Sequence, residues 1–261
     1  LPTPAHFAAA TELFPAPLPR ARVLRYPATT LSAYHSDPSG YVKMALPESE
    51  PFWVNQARSP DASEAGEQTP RIPGDQDVAG TYAEFGTAGH AVFEQLALHG
   101  WHGDLHALAK TAWEGSPSRA DIRDLLTRLE RAVPILQRAA AGATALQAEW
   151  PFAMTLKSDD VTLIVDGTMD LLFRGPNGRW QVMDYKFTEE PADHLVARYG
   201  LQLNLYLEAL RRGVPGGDAA DAFMVAVRRD SVEFIPVPAD NTCARSAIAA
   251  ARNLDRIAGS M

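Results

Sequence analysis

The stretch "VDGTMDLLFRGPNGRWQVMDYKF", residues 165–187, decides the fold. Two runs rich in Val, Leu, Phe and Trp flank Gly175-Pro176-Asn177-Gly178, a turn composition, so the stretch reads as a β-hairpin with strands over 161–173 and 180–187. Its strands look buried, yet they carry Asp166, Asp170, Asp184 and Lys186. Side chains alternate along a strand, so Asp184 and Lys186 point one way and Tyr185 the other. Pairing across the turn brings Asp170 beside Asp184. Asp166 would share the face of Asp170 on an unbroken strand; a bulge at Gly167 would separate them, which makes Asp166 the weaker participant.

Outward from the hairpin, residues 145–156 turn extended, and 197–213 read as an amphipathic helix with Leu203, Leu207 and Leu210 on one stripe and Gly213 as its stop. Residues 222–237 give one or two strands and 242–258 a closing helix. Upstream, helices are expected from Ala79 to about Gly100, over 104–112, and over 118–141 with a kink at Pro134. A short helix is expected within 28–46, capped by Thr29 or Thr30 and broken at Asp37-Pro38. Residues 1 to about 25 are proline-rich and read as a linker or strap; 47–78 read as an exposed, mobile loop. The order predicts an α/β fold, a mixed central sheet flanked by helices. Residues 1–78 form a lead-in packed on a core of 79–261.

The bulk numbers narrow the chemistry. The 261 residues are 46% hydrophobic and 21% charged, as in ordinary globular proteins, and no apolar run approaches a membrane span. One cysteine, Cys243, rules out an intramolecular disulfide and any Cys-rich zinc or iron–sulfur site, and fits a reducing, cytoplasmic setting. A net charge of −8 argues against gripping nucleic acid by bulk electrostatics, though not against reaching phosphates through metal ions. The chain starts at Leu1 without a secretory pattern, and we read it as a piece excised from something longer. No Gly-x-x-x-x-Gly-Lys-Ser/Thr stretch is present, so an ATP-driven motor is not expected in it.

Two grouped carboxylates repel, and one resists ionising unless a cation lies between them. An oxygen-rich site with open positions suits Mg²⁺ or Mn²⁺. A lysine two residues on can position a water or stabilise charge on a phosphate oxygen. A lone Asp-x-Lys is ordinarily a solvated strand edge; the apolar setting and the second Asp favour phosphodiester hydrolysis. His99, His102 and His106 cluster near a helix end without a Cys or Glu pattern to support zinc. Arg211, Arg212, Arg228 and Arg229 read as solvated, or as a DNA track.

The hairpin resembles the signature of PD-(D/E)XK nucleases, in the RecB-like branch, with Gly-x-x-Asp on one strand and Asp-Tyr-Lys on the next. "FGTAGHAVFEQL" resembles that branch's metal-binding histidine helix and maps to His90, and "AEWPF" resembles the strand with an upstream glutamate and maps to Glu149. "YGLQLNLYLEAL" resembles its Gln-x-x-x-Tyr helix and maps to Gln202 and Tyr206. The likeness covers roughly 80–237, and "TTLSAYHSDPSGYVKMAL" adds a similar N-terminal stretch. Some relatives hold an iron–sulfur cluster with cysteines there; here Asp37 stands before the proline, so no cluster is expected.

The resemblance implies a restriction-endonuclease-like αβββαβ core with extra N-terminal helices. It implies that Asp170, Asp184, the Tyr185 carbonyl and His90 hold Mg²⁺ or Mn²⁺, and that Lys186 orients the attacking water and lowers its pKa. Glu149 would hold a second metal or a water. Gln202 and Tyr206, one turn apart, would contact the DNA backbone or fix the active-site helix. The implied activity is metal-dependent DNA cleavage, in the nuclease part of a RecB/AddA-type helicase–nuclease of double-strand break repair. The partners would be single-stranded DNA or an unwound duplex end and a helicase motor, with no membrane. The alternatives are a non-catalytic DNA-binding or partner-docking module on the same fold, and a free-standing exonuclease or endonuclease.

Overall fold

The computed structural model describes residues 21–45, 78–113 and 117–259. The expected lead-in before residue 21 and the expected loop over 47–77 lie outside them. The described elements are β1 (Arg22–Pro27), α1 (Ala28–Ser36), α2 (Pro38–Ala45), α3 (Val78–Leu98), α4 (Leu105–Ala112), α5 (Arg119–Ala139), β2 (Ala145–Lys157), β3 (Val161–Arg174), β4 (Trp180–Phe187), α6 (Ala192–Gly213), β5 (Asp221–Val227), β6 (Val232–Val237) and α7 (Cys243–Gly259).

The hairpin forms as expected: Arg174 pairs Trp180, and Gly178 takes the left-handed conformation that lets the turn close. β3 is the organising strand. β2 runs antiparallel along one edge of it, from Thr162 to Arg174. The opposite edge is shared, by β1 in parallel up to Asp166 and by β4 antiparallel from Leu171. Beyond β4 come β5, parallel to it, and β6, antiparallel to β5. The sheet is therefore mixed, and α3, β2, β3, β4, α6 and β5 give the αβββαβ order.

Apolar side chains on the two sheet faces build two cores. One face packs under α1, α6 and α7, with Leu31, Leu203, Leu210, Ala251 and Met224 buried in it. The other packs under α3, α4 and α5, with Phe93, Leu129, Leu136, Phe173 and Val225. The result is three layers with both sheet faces covered, as a mixed sheet with long apolar strands requires.

Three local readings are corrected. The end of the expected linker, from Arg22 to about residue 25, instead belongs to β1, which enters the sheet as a short parallel strand. The first helix is not capped by Thr29 or Thr30: it starts at Ala28, directly after Pro27, with no side-chain cap bond. Its break at Asp37 holds, and Pro38 opens α2, the first helical position being where proline fits. α6 begins at Ala192, not 197, because Pro191 starts it a turn and a half earlier. α5 carries Pro134 within its span, behind a Ser118–Asp121 capping box.

Candidate active site

The site forms where β3 and β4 part. Their ladder ends at Leu171 opposite Met183, and β1 leaves the same edge of β3 at Asp166. Residues 167–170 of β3 thus have no partner strand on this side. Asp170 and Asp184 sit at the mouth of that fork, one rung past the last pair.

The strands also invert here. Val161, Leu163, Val165 and Met169 of β3 face the core under α6, whereas Leu171 and Phe173 face the core under α3. In β2, Leu146 and Ala148 pack on the α3 side, and Trp150, Phe152, Met154 and Leu156 on the α6 side. Alternation slips once in each strand, at the same rung, where the register sets Glu149 opposite Asp170. Glu149 has φ +47°, a left-handed conformation unusual for a residue with a side chain. Asp166 stands apart from the cluster, paired with Arg25 of β1 at 3.2 Å. The change of face lies between Met169 and Leu171 and not at Gly167.

Asp170 is 5% exposed. Its Oδ2 accepts from the Tyr185 backbone N–H at 2.6 Å and lies 3.3 Å from His90 Nδ1. Burial pushes its carboxyl up, but the His90 ring, the Lys186 charge and the Tyr185 N–H together hold it below the usual carboxylate range. His90 Nε2 lies 2.9 Å from the Tyr185 carbonyl. A carbonyl only accepts, so Nε2 carries a proton and Nδ1 is turned to the carboxylate. His90, Glu149 and Asp170 offer ligand atoms within 4.8 Å of one another. One imidazole and two carboxylates, partly buried around one point, form a donor set that fits a divalent cation.

Asp184 is fully buried. Its Oδ2 is 2.8 Å from Lys186 Nζ and its Oδ1 accepts from Gln202 Nε2 at 3.1 Å. Asp184 and Lys186 do share a face of β4, and the Tyr185 ring points to the other, tilted against Phe93 at 4.7 Å in the core under α3. Burial, and then the charges of Asp170, Glu149 and Asp184, push the Tyr185 hydroxyl well above its ordinary pKa. Gln202 and Tyr206 face the same way and are joined by a 2.5 Å hydrogen bond. Each is 1% exposed, so the structure places them inside, against Asp184. Ser32 of α1 completes this wall: its hydroxyl donates to the Arg198 carbonyl at 2.8 Å and accepts from the Gln202 N–H.

The expected site residues therefore appear as two adjoining clusters, with Asp184 outside the one that gathers His90 and Asp170. His90, Glu149 and Asp170 gather on one side of β4 at Tyr185, and Asp184, Lys186, Gln202 and Tyr206 on the other. Sequence reasoning missed Tyr199, whose ring lies 4.7 Å from Lys186 Nζ, and Ser32. An aromatic one turn before Gln202 was the available signal. The four arginines are engaged with carboxylates: Arg211 and Arg212 with Glu208, Arg228 with Glu233, Arg229 with Asp124. Among the described residues, no helix is long and apolar enough to cross a membrane.

The chain is 29% identical over 184 residues to an ATP-dependent helicase/nuclease subunit of Lysinibacillus sphaericus (strain C3-41), over 62% of this chain. The chain spans only 14% of that relative's length. A solved structure from Eubacterium rectale, provisionally described there as an exonuclease, is 14% identical with a TM-score of 0.36, covering 74% of this chain and 86% of that one. The sequence pattern of the PD-(D/E)XK nuclease superfamily matches residues 64–259, three quarters of the chain, and the chain belongs to that superfamily.

Proposed function

We propose that this chain is a Mg²⁺- or Mn²⁺-dependent deoxyribonuclease that hydrolyses phosphodiester bonds. The observation that carries the reading is the His90–Glu149–Asp170 cluster lying one residue along β4 from the Asp184–Lys186 pair. His90, Asp170, Asp184 and the Tyr185 carbonyl, with Glu149 beside them, would hold the cation. When bound, the cation supplies positive charge that acidifies a water and neutralises phosphate oxygens. The protein's own groups do the rest. His90 and Lys186, with the Tyr185 N–H, favour the ionised form of Asp170, the N–H aims it, and Gln202 fixes the rotamer of Asp184. Lys186 orients the attacking water for in-line displacement and offsets charge on the phosphate.

We further propose that the domain works beside a helicase motor, in the same polypeptide or complex, on single-stranded DNA or unwound duplex ends in break repair in the cytoplasm. The support is the helicase/nuclease relative, of which this chain matches a small part, and the net charge of −8, which suits a site fed with DNA by another element.

The test is cleavage of labelled single-stranded and duplex DNA in Mg²⁺, Mn²⁺ or EDTA, beside Lys186→Ala. Cutting that needs metal and is lost in the variant is the expected result. No cutting together with no Mn²⁺ binding by calorimetry would show a retired fold; no cutting with Mn²⁺ bound would point to dependence on the motor.

A further inference from the structure

Lys186 is held from two sides. Its Nζ lies 2.8 Å from Asp184 Oδ2 and 4.7 Å from the centroid of the Tyr199 ring, and its side chain is 12% exposed. Tyr199 stands on α6 three residues before Gln202, whose amide donates to the other Asp184 oxygen. One face of one helix therefore gives a hydrogen bond to the carboxylate and an aromatic ring to the lysine beside it. The Arg198 guanidinium lies 5.9 Å from the same ring and pairs with Glu190 at 2.7 Å. Each cation near the ring has its own carboxylate, which limits their repulsion.

This arrangement answers a mechanical problem. Asp184 and Lys186 are neighbours on one strand face, and a lysine stem has several rotamers that reach an adjacent carboxylate. An ion pair alone fixes a distance and leaves the direction of approach loose. Gln202 occupies Oδ1, which directs the ammonium to Oδ2. The electron-rich ring face then attracts the ammonium from a second direction. Two contacts at an angle define a position where one defines only a radius.

Resting on the nuclease reading of Lys186 given above, we propose that Tyr199 is a positioning residue: its ring face fixes the Lys186 ammonium for the reaction. The ring is what the geometry requires, so phenylalanine should serve and an aliphatic side chain of similar bulk should not.

The chain contains four lysines, at 43, 110, 157 and 186, so the full-length protein labelled with ¹³C-lysine gives a simple spectrum. The Lys186 ε-CH₂ signal is assigned by its loss in Lys186→Arg. It is expected upfield of the exposed Lys110 and Lys157 in wild type and in Tyr199→Phe, through the ring current, and to return toward them in Tyr199→Leu. In single-turnover cleavage with Mn²⁺, Tyr199→Phe should stay within about 2-fold of wild type and Tyr199→Leu should be slower by about 10-fold. KM and Mn²⁺ affinity should be unchanged in both, which a general loss of structure would not allow. An unshifted Lys186 signal in wild type overturns the proposal, as does a Tyr199→Leu protein that cuts at the wild-type rate. If wild type neither cuts nor binds Mn²⁺, the nuclease reading fails; whenever wild type does not cut, the Lys186 signal alone decides for or against Tyr199.

Discussion

The backbone N–H of Tyr185 donates to the Asp170 carboxylate at 2.6 Å, across the fork where β3 and β4 cease to pair. A ladder bond has been exchanged for a bond to a side chain. The donor stays satisfied, and the carboxylate is fixed at the opening.

Asp184→Ala and Lys186→Ala should separate two roles. The first should weaken Mn²⁺ binding and abolish cutting. The second should abolish cutting and leave much of the metal binding, while leaving a fully buried carboxylate without its cation. Removing one partner of a buried pair costs about 3–5 kcal/mol, so the metal-free Lys186→Ala protein should melt well below wild type. Calorimetric titration and thermal melts with and without Mn²⁺ check both parts.

Gln202→Glu sets a second carboxylate against Asp184, whereas Gln202→Leu only removes the amide donor. Like charges at that distance in a buried site repel, so Gln202→Glu should be the less stable variant at pH 7 without metal, by about 1–3 kcal/mol. The gap should close when Mn²⁺ is added. Urea unfolding of the two proteins measures it; equal midpoints would contradict the placement of Gln202.

Tyr185→Phe should be neutral or stabilising by about 1 kcal/mol, although it touches the family's Asp-Tyr-Lys signature. The Tyr185 hydroxyl is buried and has no hydrogen-bond partner among the described residues, so its removal relieves a desolvation cost. The groups facing the site come from its backbone, which the substitution keeps. A melt that drops by several degrees would reveal a partner for the hydroxyl.

A methyl group at Gly89 would overlap the Phe187 ring, which stacks on Phe93 at 5.5 Å. Gly89→Ala forces the Phe187 ring or α3 to shift at the end of β4, and the residue next to it on α3 is His90. We expect a loss of about 1–3 kcal/mol and a parallel loss of Mn²⁺ affinity, read from the same calorimetric experiment.

Alkaline pH should destabilise the fold through Cys243. Burial pushes its thiol up to about 11, from about 8.5 in an unfolded chain. The folded state keeps a proton that the unfolded state releases, so this contribution is complete below about pH 8.5 and is lost as pH rises toward 11. Cys243→Ala should flatten stability over that window, as seen in denaturant midpoints at pH 8 and 10.

Much of this was readable from the chain. The turn cluster at 175–178 announced the hairpin, and alternation put Asp184 and Lys186 together with Tyr185 opposed. Helical spacing put Gln202 beside Tyr206. What stayed hidden depends on contacts distant in sequence. β1 is six residues long and needs β3 as a partner, so nothing local marks it as a strand. The inversion at Glu149 rests on a left-handed backbone at a residue type that does not advertise one. Spacing rules put Asp166 and Asp170 on one face, but Asp166 pairs with Arg25 of β1, a strand that nothing local announced.

The paired slip in β2 and β3 has a consequence for how the molecule comes apart. β2 gives its first half to one helical layer and its second half to the other, and the second half of β3 serves both, so neither layer can detach while these strands remain intact. Amide protons on the two sides of the rung at Glu149 and Asp170 should therefore exchange with solvent in a single cooperative opening. The rung that gathers the carboxylates is also the weld between the two halves of the domain.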